Sequence, residues 1–186
     1  MDPAIETFQK QTHLSVDRGQ ALLARITPQQ FVWRPSPGAW CVGECLDHLN
    51  VTNRLYCEQF ESAVEEARRK GWTAGSPHRP GAFARWFIRS MEPPVTTKMK
   101  APKEFRPLPV LDHARVSSEW KSVHEHLLDL AKRFESLDVG KAKVPSPAAK
   151  FVKMSVGTAL GIIAAHDRRH LWQAEQVMSQ PQFPTG

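Results

Sequence analysis

The stretch Ala159-Leu-Gly-Ile-Ile-Ala-Ala-His166-Asp-Arg-Arg-His170-Leu-Trp-Gln173 has the pattern of a buried helix that carries two histidines. Steps of three or four residues keep one set of its side chains on a single helical face. That face comprises Ala159, Ile162, His166, His170, Gln173 and Val177. Buried imidazoles without partners cost roughly 1–3 kcal/mol each. Histidines at i and i+4 have Cβ atoms about 5–6 Å apart, so both rings can converge on one cation. The pattern therefore predicts a metal-binding helix.

Three further segments of the chain show the same apolar spacing. Helix starts are indicated by Asp2 with Pro3 after it, by Asp112 and by Ser155, and Gly71 indicates a helix end. The predicted helices span 2–26, 40–70, 112–137 and 155–179. Segments 31–38, 139–140 and 144–147 are predicted to be connections, and no alternating run demands a strand. Four long amphipathic helices predict an all-α four-helix bundle.

The length and composition point to a single domain over residues 1–186 with a sizeable core. No apolar run approaches the roughly 20 residues of a membrane helix. The first residues lack the basic and apolar regions of a secretory signal. Three cysteines, Cys41, Cys45 and Cys57, are an odd number within a short stretch, which argues against a disulfide framework. We therefore expect a cytoplasmic protein without a membrane partner.

The positive charge of the chain is concentrated in one segment. The net charge is +6, yet residues 67–106 alone carry +8. The basic residues there are Arg68, Arg69, Lys70, Arg79, Arg85, Arg89, Lys98, Lys100, Lys103 and Arg106. Residues 71–111 are also rich in proline, and 83–91 are predicted to form a short amphipathic helix. The segment is interpreted as a nucleic-acid-binding surface, as a loop that attracts an anionic substrate, or as a solvated loop.

A third metal ligand is expected from a helix that faces the two histidines. His48 is the candidate, because it lies beside Cys45 and Leu49 on the apolar stripe of the second helix. Taken alone, His48 would be interpreted as a core histidine. Together with His166 and His170, it predicts a three-histidine site with an open position, the arrangement of catalytic zinc centres. Cys45 is interpreted as a small buried apolar residue, with a cysteine–histidine metal site as the alternative.

Other polar and aromatic residues near these ligands have two interpretations each or no assigned role. Gln173, one turn beyond His170, is expected to orient a ligand or a water, with a surface amide as the alternative. Asp47 and Asp167 adjoin proposed ligands but face elsewhere, so the spacing assigns them no acid or base role. Trp33, Trp40 and Trp172 are interpreted as a pocket wall or as core. The remaining histidines are predicted to be surface groups; they are His13, His78, His113, His124 and His126.

Two motifs in this chain resemble those of a known family. Trp40-x-Val-Gly-Glu-x-Leu-x-His48-Leu49, followed by His166-Asp-Arg-Arg-His170-x-x-Gln173, is similar to the DinB-like superfamily, and within it to YfiT-type metal-dependent hydrolases and thiol S-transferases. The resemblance implies a four-helix bundle with long crossover connections. It also implies a divalent metal, zinc or nickel, on His48, His166 and His170, and a homodimer. Two features depart from the family: it commonly has serine, a helix cap, where this chain has Cys41, and segment 71–111 is a basic, proline-rich insertion that is longer than the family's short loop.

The leading hypothesis from these observations is a metal-dependent enzyme acting on a small-molecule substrate. Its nucleophile would be a low-molecular-weight thiol or a water bound to the metal, giving an S-transferase or a hydrolase. Arg85 or Arg89 would attract the carboxylates of an anionic thiol or substrate. The alternative is a non-catalytic metal-binding stress-response bundle. Nucleic-acid binding through 67–106 ranks last, because few aromatic residues there could stack on bases.

Overall fold

The four long helices of the protein begin where its sequence places capping residues. The computed structural model describes residues 1–95, 100–146 and 149–185, with only the backbone described at 149 and 150; the predicted roles of Lys98 and Pro147 lie outside these residues. The long helices are α1 (Pro3–Arg25), α3 (Val42–Arg69), α5 (His113–Arg133) and α6 (Val156–Met178). Asp2, Asp112 and Ser155 accept backbone N–H bonds at the starts of α1, α5 and α6, as predicted.

The thiol of Cys41 performs the capping task that serine would perform. Its Sγ accepts the backbone N–H of Glu44 at 3.4 Å, and the Glu44 carboxylate accepts the Cys41 N–H at 2.9 Å. These reciprocal bonds form a capping box, which satisfies two backbone donors at the start of α3. The capping box therefore fixes the start of the helix whose second turn carries His48.

The long helices form a bundle whose chain path crosses between diagonal corners. Helix α3 packs against α5 and α6, and α1 packs against the same two helices, so α1 and α3 lie at opposite corners. The connection from α1 to α3 and the connection from α5 to α6 therefore both cross the bundle. This arrangement confirms the predicted four-helix bundle with crossover connections, and it places α3 directly beside α6.

Two connections contain regular structure that the sequence patterns did not predict. Helix α2 (Pro28–Val32) includes the start of the predicted loop 31–38, because Thr27 and Gln30 form a second capping box. Strands β1 (Lys143–Ser146) and β2 (Ala149–Ser155) pair antiparallel, whereas this region was predicted as a plain connection. A register irregularity at Pro145 and Ser146 breaks the alternation by which a strand is recognised.

The described parts of the proline-rich segment between α3 and α5 pack against the bundle. They contain the predicted short helix, α4 (Ala82–Met91), and a 3₁₀ turn (Lys103–Phe105). Helix α4 packs against α6, where the side chain of Ile88 approaches Gly161. Arg168 of α6 forms an ion pair with Glu92 at the end of α4, with a 2.9 Å bond from its Nε. Among the residues described, no helix has both the length and the apolar character needed to cross a membrane.

Candidate metal centre

Three histidine side chains meet between α3 and α6. His48 lies on α3, and His166 and His170 lie one turn apart on α6. One nitrogen from each ring belongs to a group of atoms that all lie within 4.8 Å of one another. The ring centroids are 4.9 Å apart for His48 and His166, 4.5 Å for His48 and His170, and 4.6 Å for His166 and His170. The structure thus brings together the three residues selected from the sequence.

Hydrogen bonds to the outer nitrogens orient two of these rings. Nδ1 of His48 lies 2.5 Å from the carbonyl oxygen of Phe105, and Nδ1 of His170 lies 2.9 Å from Oε1 of Gln173. A ring nitrogen that faces an oxygen acceptor donates its proton, so Nδ1 carries the proton in both histidines. Their Nε2 atoms are consequently left with lone pairs for a metal. Gln173 thus contacts His170 from the position predicted for an orienting group.

The spacing of the inner nitrogens of His48 and His166 fits a small divalent cation. Nε2 of His48 lies 3.1 Å from Nε2 of His166. Two nitrogens bound to zinc at about 2.0–2.1 Å in a tetrahedral arrangement would lie roughly 3.3 Å apart. Imidazole suits both zinc and nickel, so the donor set does not distinguish the two metals. Within the described residues the ligand group consists of these three histidines, and Cys45 is not part of it.

The surroundings favour the neutral imidazole, which is the form that binds metals. Burial lowers the pKa of His48, although the hydrogen bond to Phe105 opposes this effect. Burial lowers the pKa of His166 and of His170 much further, and the neighbouring histidines and the Arg169 guanidinium add to the shift. His48 and His170 are almost fully buried, whereas His166 is partly exposed. The site therefore combines neutral ligands with a path to solvent.

We expect the metal-free protein to lose stability as the pH falls below about 6.5, the ordinary pKa of histidine. The pKa values of His48, His166 and His170 are lowered in the folded state, so below this pH the unfolded chain binds more protons than the folded chain. Their contribution to the free energy of unfolding is fully present above pH 6.5, and it is lost as the pH falls towards the lowered pKa values of the folded state. Urea unfolding at pH 7.5 and 5.5 measures the loss. The His166→Gln variant should lose less stability between these two pH values. An equal loss in this variant would contradict the assignment of the effect to the three histidines.

Comparison with known proteins identifies the family of the chain. The family model described as DinB superfamily matches residues 11–174, most of the chain. This chain belongs to the DinB superfamily. A comparison with curated proteins finds none that matches.

A solved structure supports the bundle fold of this DinB-superfamily member. YfiT from Bacillus subtilis, described as a probable metal-dependent hydrolase with an unusual four-helix bundle topology, superposes with a TM-score of 0.58. The similarity covers 94% of this chain and 85% of YfiT, at 13% sequence identity. At this identity the likeness concerns the fold alone. The crossing connections described above are consistent with that topology.

In this DinB-superfamily chain, the proline-rich segment supplies part of the candidate metal centre. The Phe105 carbonyl that orients His48 belongs to the 3₁₀ turn, and Phe105 itself is buried. Three residues later, the backbone N–H of Leu108 donates to Asp47 Oδ2 at 2.7 Å. Asp47 Oδ1 also accepts from Arg115 at 2.9 Å. Asp47 therefore fastens the segment beside His48. The sequence offered no signal for Phe105, because its functional atom is a backbone oxygen.

Aromatic and thiol groups surround the centre without joining the ligand group. The Trp40 ring lies 4.9 Å from His48 and 5.6 Å from His170, centroid to centroid, so it forms a wall of the site. Trp33 instead packs edge-on against Phe183, and Trp172 is partly exposed. Cys45 is fully buried beside the core of leucines, in agreement with its interpretation as an apolar residue.

The prediction that five other histidines are surface groups was wrong for His124. Its side chain is fully buried among α3, α5 and α6, where Nε2 lies 3.3 Å from Asp167 Oδ2. His13 and His126 are exposed, as predicted. His78 and His113 are only partly exposed; they lie within hydrogen-bond distance of Thr158 and of the Leu23 carbonyl, respectively. His124 lies four residues after Trp120 and three before Leu127, on the one buried face of α5, so its separation of two from His126 does not make it exposed.

The basic side chains of the proline-rich segment differ from those of the long helices in their ion pairing. Arginines of the long helices largely pair with carboxylates, as Arg133 does with Glu61 at 2.8 Å. Within the described ranges, the following basic side chains form no ion pair: Arg79, Arg85, Arg89, Lys100, Lys103 and Arg106. Unneutralised charges of one sign raise the local concentration of anions.

Proposed function

We propose that this DinB-superfamily protein is a metal-dependent enzyme that activates a low-molecular-weight thiol, as an S-transferase, or water, as a hydrolase. His48, His166 and His170 would hold zinc or nickel. The observation that carries the proposal is the convergence of three imidazoles in surroundings that favour their neutral form, two of which, His48 and His170, are buried and have hydrogen-bonded outer nitrogens. The description of YfiT as a probable metal-dependent hydrolase gives further support.

A bound divalent cation would supply Lewis acidity, which makes water or a thiol nucleophilic at neutral pH. The protein's own residues position and shield this chemistry. The Phe105 carbonyl and the Gln173 amide fix the rings of His48 and His170. Trp40 covers both of these rings and limits the access of water.

The cysteines of the chain are poor candidates for the nucleophile. Burial raises the pKa of the Cys41 thiol to about 11, and it raises the pKa of Cys45 well above its ordinary value. Burial likewise raises the pKa of Cys57, and all three thiols are buried. A thiol used in the reaction would therefore come from a small molecule. The guanidinium groups of Arg85 and Arg89, which form no ion pair with the described carboxylates, would attract its carboxylates.

A catalytic centre is favoured over a purely structural one by the number of ligands. Structural zinc sites are closed by four protein ligands, whereas catalytic sites have three and an open position. The ligand group in the described part of the chain has three members, and one of them, His166, reaches solvent. The homodimer, the cytoplasmic location and the single domain over 1–186 stay predictions.

The proposal is tested with protein purified without a histidine tag and loaded with Zn²⁺ or Ni²⁺. Candidate anionic thiols are added with an electrophilic acceptor, and thioether formation is measured. We expect metal-dependent turnover in the wild type and none in His170→Ala, with His126→Ala as the exposed control. The absorption spectrum of the Ni²⁺ form should shift on addition of the thiol. Absence of both turnover and spectral shift with every thiol would exclude the transferase branch, and ester and amide substrates then test the hydrolase branch.

A further inference from the structure

A second buried polar group joins three helices beside the metal centre. Asn53 of α3, His124 of α5 and Asp167 of α6, here called the polar cluster, are all fully buried. The Asn53 amide donates to Asp167 Oδ1 at 3.0 Å. His124 Nε2 lies 3.3 Å from Asp167 Oδ2 and 3.4 Å from Asn53 Nδ2, and its Nδ1 donates to the Trp120 carbonyl at 2.7 Å.

Such a cluster restricts how the helices can slide against each other. Apolar side chains tolerate repacking, as long as volume and pattern are kept. Hydrogen bonds require particular distances and angles, and breaking one inside the protein leaves a buried polar group unsatisfied. A buried carboxylate with two partners on two other helices is therefore satisfied in one register of α6 and unsatisfied in others.

The polar cluster connects the two helices that carry the ligands. Asp167 directly follows His166, and Asn53 lies five residues after His48 on α3. The bond between Asn53 and Asp167 thus joins α3 to α6 within about one and a half turns of the site. Sliding of α6 against α3 would separate His48 from both ligands of α6.

We propose that Asn53, His124 and Asp167 are positioning residues, which hold α6 in register with α3 so that His48 and His166 can share one metal ion. This inference rests on the proposed function, because it concerns the same metal centre. It assigns the polar cluster no contact with the metal or the substrate. It predicts that metal affinity depends on a bond that is remote from the ligand atoms.

The chain offers a matched control for Asn53. Asn50 lies one turn earlier on α3, is equally buried, and donates to the Val116 carbonyl of α5 at 3.0 Å. Asn50→Ala therefore removes the same chemical group from the same helix, but it breaks a bond to α5 and not to α6. A merely structural role of Asn53 would make the two variants alike.

The experiment measures the Kd of Zn²⁺ and, separately, of Ni²⁺ by isothermal titration calorimetry, together with urea unfolding of the metal-free proteins. We expect Asn53→Ala to raise the Kd about 10-fold or more, the size of effect seen for partners of metal ligands. Asn50→Ala should lower the stability of the metal-free protein comparably and leave the Kd close to that of the wild type.

A second pair of variants approaches the cluster from α5. His124→Leu should weaken metal binding as Asn53→Ala does, and His124→Gln, whose amide N–H can donate in place of the ring nitrogen, should restore part of the affinity. If the wild type binds metal and Asn53→Ala and His124→Leu bind it as well as Asn50→Ala, the positioning inference is overturned and the metal centre stands. If the wild type binds neither metal, both are overturned.

Discussion

Replacing His170 by alanine is expected to weaken the binding of Zn²⁺ by more than about 100-fold, beyond the usual effect of losing an outer partner of a ligand. The substitution removes one of three gathered nitrogens and leaves the Gln173 amide without its bond to the imidazole. Two ligands cannot provide the three protein contacts of a catalytic centre. Elemental analysis of protein purified without a histidine tag, followed by calorimetric titration, measures the change.

The matched control for this prediction is His126→Ala. His126 lies on the exposed side of α5 and pairs with Glu61 at 3.0 Å, away from the three-histidine group. Its replacement should leave the Kd unchanged. Metal binding by His170→Ala with the wild-type Kd would show that the three histidines do not form the site.

Replacing Trp120 by alanine is expected to lower the free energy of unfolding by about 3–5 kcal/mol, the usual cost of truncating a large buried aromatic side chain. Trp120 is fully buried, and its ring lies against the backbone of Gly19, where a Cβ atom would be only 2.3 Å from the ring. The indole therefore fills the space between α5 and α1 that glycine leaves. Denaturation in urea measures the loss.

Trp86→Ala provides the comparison for Trp120. Trp86 lies on α4 and is 62% exposed, so its truncation should change the free energy of unfolding by no more than about 0.5 kcal/mol. If the two variants lost equal stability, the packing of Trp120 against α1 would be refuted. The Trp120 variant should also disturb His124, whose ring centroid lies 4.1 Å from that of Trp120.

Local sequence determined the helices of this protein. Asp2, Asp112 and Ser155 bond to backbone groups two or three residues away, so their effect can be predicted from adjacent positions. The same holds for His166 and His170, whose common face follows from the pitch of one helix. Strands β1 and β2 escaped prediction, because Pro145 and the register irregularity beside it interrupt the alternation that marks a strand.

The choice of His48 needed more than local spacing. Its residue type and its position on an apolar stripe permitted either a core histidine or a ligand. The pair of histidines on the last helix favoured the ligand, and the resemblance to the DinB-like superfamily implied the same three residues. The structure then placed it against α6, because α1 and α3 occupy opposite corners of the bundle. Helical periodicity alone does not specify which helices are neighbours.

The amino-acid sequence by itself determined the four amphipathic helices, their caps and the pair of histidines on one helical face. Only the tertiary structure decided that the Phe105 carbonyl orients His48 and that His124 is buried against Asp167. The physical reason is the range of the interactions. Caps and helical faces depend on residues within one or two turns, whereas these contacts join segments 43 or 57 positions apart, and one of them uses a backbone atom that every residue possesses.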